Sequence, residues 1–273
     1  MKKMIFFLLG SCIASLSQGQ KAQIGIGYNL FLAQQGMKDG FTSAHGLGVD
    51  MLFRLKKVPY IMIGADIQGS TYAATTEKQQ YFFRDGSSTI TDVSLSSNMV
   101  SGGVKLRFEC PSSNTVRPYL DIKGGGMSMY SHIYVADPND NTGCKPLDSK
   151  TPVNDFNWYA GFGTGVKIDL SREAKKGRHF IDLSVAYLSG GWFEYANMNK
   201  VHEHDSNIPE PVDEKSNPLN VKFINILTNE VHEHQVANLY NSKLSLMQVQ
   251  VKYTFGLGKG KSSCHSNRHC SRG

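Results

Sequence analysis

The chain has 273 residues, with 29 Lys and Arg against 23 Asp and Glu, a formal charge of +6 and 40% hydrophobic residues. The basic residues are spread along the chain rather than gathered in a patch, so composition does not point to nucleic acid. No segment beyond the amino terminus approaches the roughly 18 consecutive apolar residues of a membrane helix, and mean hydropathy is negative, at -0.31.

A negative average does not exclude a membrane protein built of strands. Barrel strands alternate lipid-facing and lumen-facing residues, and any averaging window hides that alternation.

Met1-Lys2-Lys3, an apolar stretch from Met4 to Leu9 that continues weakly through Ile13, Ala14 and Leu16, and small residues at Ser17 and Gly19 read as an export signal. Cleavage after Gly19 predicts a signal peptide over 1–19 and a mature chain of about 254 residues. Without Lys2 and Lys3 the mature chain carries 27 basic and 23 acidic residues, a charge of +4. Leu9-Gly10-Ser11-Cys12 offers a lipoprotein box as the alternative, but cleavage there would cut the apolar core in half.

Eight segments of period two follow. In the first, Ile24, Ile26, Tyr28, Leu30 and Leu32 oppose Gly25, Gly27 and Asn29. The second sets Leu47, Val49, Met51, Phe53 and Leu55 against Gly48, Asp50 and Arg54, and the third Ile61, Ile63, Ala65 and Ile67 against Gly64, Asp66 and Gln68. Val100, Val104, Leu106 and Phe108 oppose Gly103, Lys105 and Arg107; Leu120 and Ile122 oppose Tyr119, Asp121 and Lys123. In the sixth, Trp158, Ala160, Phe162, Val166, Ile168 and Leu170 face away from Gly161, Gly163, Gly165, Lys167 and Asp169. The seventh pairs Ile181, Leu183, Val185 and Tyr187 with Asp182, Ser184 and Ala186. The eighth places Met247, Val249, Val251, Tyr253 and Phe255 opposite Gln248, Gln250, Lys252 and Thr254.

The connections alternate between short (56–58, 110–115, 171–177) and long and polar (34–43, 74–92, 135–154, 197–240). Membrane barrels have this rhythm, with short periplasmic turns and long extracellular loops. Aromatics are expected to form two interfacial girdles: Phe53, Tyr60, Phe108, Phe180, Tyr253 and Phe255 at the short turns, and Tyr72, Tyr130, Trp158, Trp192 and Phe193 near the long loops. The fold class is therefore all-β, an eight-stranded antiparallel up-and-down transmembrane barrel. A soluble lipocalin-like barrel would invert the two faces, which the girdles and the loop rhythm disfavour.

Over 20–255 the chain resembles the eight-stranded outer-membrane barrels of the OmpA and OmpX type. The last strand, 245–255, with its alternation and terminal aromatic, resembles the signal read by the barrel-assembly machinery. The resemblance implies residence in the cell outer membrane, with outer-membrane lipid and that machinery as partners. It also implies a periplasmic tail over 256–273.

The inner face is expected to carry Asp50, Arg54, Asp66, Lys105, Arg107, Asp121, Lys123, Lys167, Asp169, Asp182 and Lys252, nearly balanced in sign. An eight-stranded lumen is only wide enough for side chains to fill. These charges predict a hydrogen-bonded plug and no open pore.

Candidate chemistry is sparse. Val201-His202-Glu203-His204 recurs as Val231-His232-Glu233-His234 in the longest loop. If that loop folds back as a hairpin, His202, His204, His232 and His234 form a candidate site for zinc, nickel or copper; otherwise they are solvated. Cys264-His265 and His269-Cys270 offer a small disulfide or a metal site, and Cys110 and Cys144 are expected on opposite sides of the membrane. Gly258-Lys-Gly260-Lys261-Ser262 lacks the first glycine of a phosphate-binding loop. The glycines at 124–126 and at 161, 163 and 165 read as strand bends or as room for inner side chains. Ser131, His132, Ser189 and Glu194 lie near outer strand ends, the place for a lipid-modifying site, but nothing in the sequence links them. The expectation is a non-enzymatic protein without cofactor, serving a structural, adhesion or surface-binding role toward an extracellular ligand or envelope partner. Divalent-metal binding and lipid modification are the alternatives.

Overall fold

The computed structural model describes residues 22–82, 88–110, 115–135, 148–170, 178–197, 216–224 and 231–257. Nine strands follow in order: β1 (Ala22–Ala33), β2 (Ser43–Arg54), β3 (Ile61–Phe82), β4 (Ser88–Glu109), β5 (Val116–Val135), β6 (Asp148–Asp169), β7 (Arg178–Asn197), β8 (Ser216–Ile224) and β9 (Val231–Leu257). A 3₁₀ turn over Gln35–Asp39 joins β1 to β2. Neighbours in sequence pair antiparallel from β1 to β7, β7 pairs with β9, and β9 pairs with β1. Eight strands thus close the sheet, and β8 is added outside the ring as the partner of the start of β9.

The register gives the stagger. Starting at Trp158, paired residues run through Gly126, Gly102, Ile67, Val49, Ile26, Tyr253 and Ile181 and return to β6 at Ile168, ten residues further on. A shear of that size in eight strands tilts them by about 40° from the axis, as closure requires.

The two faces follow the sequence parity. Ile26, Leu47, Val49, Ile63, Ile67, Val104, Leu120, Ile122, Phe162 and Val185 are all well exposed. Asp50, Asp66, Lys105, Arg107, Asp121, Lys123, Lys167, Asp182 and Lys252 are all buried. In a water-soluble protein this arrangement would be inside out. In a bilayer it is the stable one, because lipid solvates the apolar band and the backbone polar groups are satisfied strand to strand. No helix among the described residues is long and apolar enough to cross a membrane.

Three expectations are corrected. The connection 74–92 is largely strand, and 135–154 is strand at 135 and over 148–154: β3 and β4 stay paired up to Phe82↔Ser88, and β5 and β6 up to Val135↔Asp148. Beyond the bilayer both faces of a strand can be polar, so apolar alternation fades where pairing continues. The connection 197–240 likewise holds β8 and the start of β9. Of the expected girdle aromatics, Phe53, Tyr72, Phe180 and Phe193 are buried. Phe180 turns inward beside the Lys167 ammonium, 5.0 Å from its ring. Tyr60, Trp158, Trp192, Tyr253 and Phe255 do face outward. Pairing also runs two residues past Phe255, to Leu257 opposite Ala22.

Candidate functional site

The lumen is filled in two layers of opposite character. The periplasmic half is ionic. Arg107 lies at its centre, donating from Nε and Nη2 to the two oxygens of Asp121, each at 2.8 Å, and from Nη1 to Asp182 at 2.6 Å. Its guanidinium stacks on the Tyr119 ring at 3.5 Å, and the Tyr119 hydroxyl donates to Asp182. Lys105 and Lys252 converge on the same oxygen of Asp50, at 2.8 and 2.5 Å. Lys123 donates to Gln248, which in turn donates to Gln68. Gln250 reaches Asn29 at 2.7 Å, and Lys167 reaches Gln23 at 2.9 Å.

Glu109 belongs to this network, pairing with both Arg54 and Lys167. The parity of Lys105 and Arg107, carried two residues further along β4, would have placed it there. Arg54 and Asp169 are the two expected inner charges that stay partly exposed, at the periplasmic mouth.

The extracellular half of the lumen is apolar. Phe31, Met37, Phe41, Tyr72, Met99, Met127, Met129, Leu188, Phe193, Tyr195, Leu244 and Leu246 form one buried cluster. The 3₁₀ turn folds into it: Met37 is fully buried, its thioether accepts the Ser245 amide at 3.3 Å, and its carbonyl accepts the Tyr195 hydroxyl at 3.5 Å. Phe41, Tyr72 and Tyr195 pack ring to ring around it, at 4.8 to 6.3 Å. Sequence parity gave no sign of this apolar layer.

Its cause is visible on the outside of the same strands, where Ser96, Asn98, Ser128, Tyr130, His132 and Asn154 replace the aliphatic band. Above the bilayer the outer face is wet, so the apolar parity moves inward. The switch runs along one outer rung, Leu30↔His45↔Thr71↔Asn98↔Tyr130↔Asn154. Thr71 donates to Asn98 along that rung at 2.8 Å.

The extracellular rim is uneven. β1 and β2 have 12 residues each, whereas β3, β4 and β6 have 22 and β9 has 27. A tilted strand needs only about 9–11 residues to cross a bilayer. The longer strands therefore stand well clear of the membrane, and the β1–β2 side forms a notch.

The expected site residues fare differently. His232 and His234 lie in β9, in register with Phe223 and Val221 of β8. The hairpin partner of this segment is therefore 216–224, while His202 and His204 lie outside the described residues, as do Cys144 and the tail cysteines. Among the described residues no three His, Cys, Asp or Glu side chains gather as a metal site. Ser131 points into the lumen and bonds Ser97 at 2.9 Å, whereas His132 on the outside meets Ser149 and Thr151 at 3.4 and 3.5 Å. The Glu194 amide, on β7, bonds Asp155 at 2.9 Å. These residues, together with Ser189 at the β7 bulge, form no linked Ser, His and acid. A different group escapes the sequence: on the outer face Ser43 Oγ lies 3.3 Å from His45 Nε2, and the Tyr28 hydroxyl lies 2.5 Å from His45 Nδ1.

No family model and no curated protein matches the chain. Among solved structures it is similar to a major outer membrane protein from Thermus thermophilus, at 11% identity over 87% of this chain and 99% of the other, with a TM-score of 0.40. It is also similar to Ail, the attachment invasion locus protein of Yersinia pestis, at 10% identity over 88% and 99%, TM-score 0.36. The Neisserial surface protein A matches at 11% identity over 87% and 96%, TM-score 0.33. Likeness this distant carries no functional inference. The closed ring of eight strands, its apolar belt and its ionic lumen make the chain an eight-stranded β-barrel of the outer-membrane type, resident in the outer membrane.

Proposed function

We propose that the protein is a non-conducting barrel that acts through its extracellular surface, as a structural, adhesion or surface-binding protein. The observation that carries this reading is the filled lumen. Among the described residues ion pairs occupy one half and an apolar cluster with its inserted 3₁₀ turn occupies the other, the arrangement expected of a barrel that does not conduct. What the fold offers to a partner is the strand extension outside the bilayer, chiefly the β3–β4 and β8–β9 hairpins.

The test is to shorten those hairpins at paired rungs, so that register is kept. One variant replaces 77–93 with a tight turn between Thr76 and Ser94; the other replaces 198–237 with a tight turn between Asn197 and Asn238. Cells expressing each variant are scored for attachment to bare, protein-coated and glycan-coated surfaces. The reading expects a folded, heat-modifiable barrel with attachment reduced in at least one variant. Attachment by the intact protein that neither deletion changes, or none at all, would contradict it.

A further inference from the structure

We propose that Ser43, His45 and Tyr28 form an acyl-ester hydrolase site on the lipid-facing wall of the barrel, acting on outer-leaflet lipid. The geometry is that of an activated nucleophile: a hydroxyl within reach of an imidazole whose far nitrogen is held by a third group. Ser43 Oγ sits 3.3 Å from His45 Nε2. The Tyr28 oxygen sits 2.5 Å from Nδ1, with its ring centroid 6.2 Å from the imidazole. When the Nδ1 proton is donated to the Tyr28 oxygen, Nε2 keeps the lone pair that accepts the Ser43 proton.

The fold puts this group where an ester would be. Ser43 and His45 are two apart on β2 and share its outer face, and both of their contacts are exposed. From Phe53 up to Ser43, β2 covers the roughly 9–11 residues that cross a bilayer. His45 lies on the rung where the outer surface turns from aliphatic to polar. That is the depth of lipid headgroups and of the ester carbonyls beneath them. Among the described residues access is open from above, because β1 and β2 form the low side of the rim. β3 pairs with β2 only up to His45↔Thr71 and then bulges between Thr71 and Ala73, which leaves Ser43 without a β3 partner.

In the reaction Ser43 Oγ bonds to the ester carbonyl carbon while its proton passes to His45 Nε2. The tetrahedral adduct collapses by breaking the bond to the alkoxide, which takes that proton and departs as lyso-lipid. Water then attacks the acyl-serine, giving a proton to Nε2. The fatty acid leaves and Ser43 Oγ recovers the proton. Tyr28 is a positioning residue, acting through His45. This activity is separate from binding at the hairpins, and neither test bears on the other.

The experiment uses the full chain in mixed micelles with either phosphatidylethanolamine or lipopolysaccharide, reading released fatty acid by mass spectrometry and labelling of Ser43 by a fluorophosphonate probe. Release from one substrate and not the other identifies the lipid class. Ser43→Ala and His45→Asn should lower release at least about 100-fold, with heat-modifiable mobility kept as proof of folding. Tyr28→Phe should lower kcat about tenfold with KM unchanged, and slow the labelling of Ser43. No release from either lipid above the Ser43→Ala level, with no labelled Ser43, would overturn the proposal and leave the three residues as an interfacial anchor.

Discussion

Arg107 on β4 and Asp182 on β7, 75 residues apart in sequence, meet inside the barrel at 2.6 Å. Arg107 also holds both oxygens of Asp121, so one cation serves two buried carboxylates. Arg107→Met strands both, and removing one partner of a buried pair costs about 3–5 kcal/mol. The urea midpoint of the barrel in detergent should fall accordingly. Adding Asp121→Asn and Asp182→Asn removes the stranded charge and should recover most of the loss. A single variant as stable as the wild type would show that these charges do not hold the floor of the lumen together.

Val104 on β4 faces outward, 66% exposed, near the middle of the apolar belt. If lipid covers that belt, Val104→Arg should cost about 2–4 kcal/mol, the penalty for a cation at the bilayer midplane. Thr76, exposed on the β3 extension, is placed outside the bilayer, and Thr76→Arg should change stability by less than about 0.5 kcal/mol. The pair is read by urea unfolding in lipid vesicles. Equal, small effects would mean that the belt faces water.

Gly165 on β6 makes room for the Tyr119 ring. A Cβ at this position would lie 2.4 Å from the Tyr119 Cζ and hydroxyl and 2.6 Å from the Leu183 carbonyl oxygen. Gly165→Val should push Tyr119 away from Arg107 and Asp182 and lower stability by about 1–3 kcal/mol. Thermal unfolding followed by gel mobility checks it.

Most of the barrel wall was legible in the sequence, because one solvent-like phase covers the outside of every strand at membrane depth. Period two therefore reports inside and outside directly, and Lys105, Arg107, Asp121 and Asp182 all fell on the correct face. The rule inverts above the bilayer. Met127, Met129 and Ile133 point inward while Ser128, Tyr130 and His132 point outward, so the strand continues with its apolar parity reversed. Read with a single parity, that stretch shows no inward-facing apolar set, and the apolar ceiling disappears with it. Gly161, Gly163 and Gly165 were legible as room for neighbours: added Cβ atoms there would meet Leu188, Ala186 and Tyr119. The Tyr28–His45 contact was not, because it depends on the register between β1 and β2, which sets Leu30 opposite His45 and Tyr28 one diagonal step away.

Single-channel recording in planar bilayers tests most directly the proposal that the lumen does not conduct. The purified, heat-modifiable protein should insert and produce no steady conductance steps across the accessible voltage range. Stable, ohmic channels of uniform size from the same preparation would contradict the account, since they require a continuous water path through the ion pairs around Arg107 and past Met37.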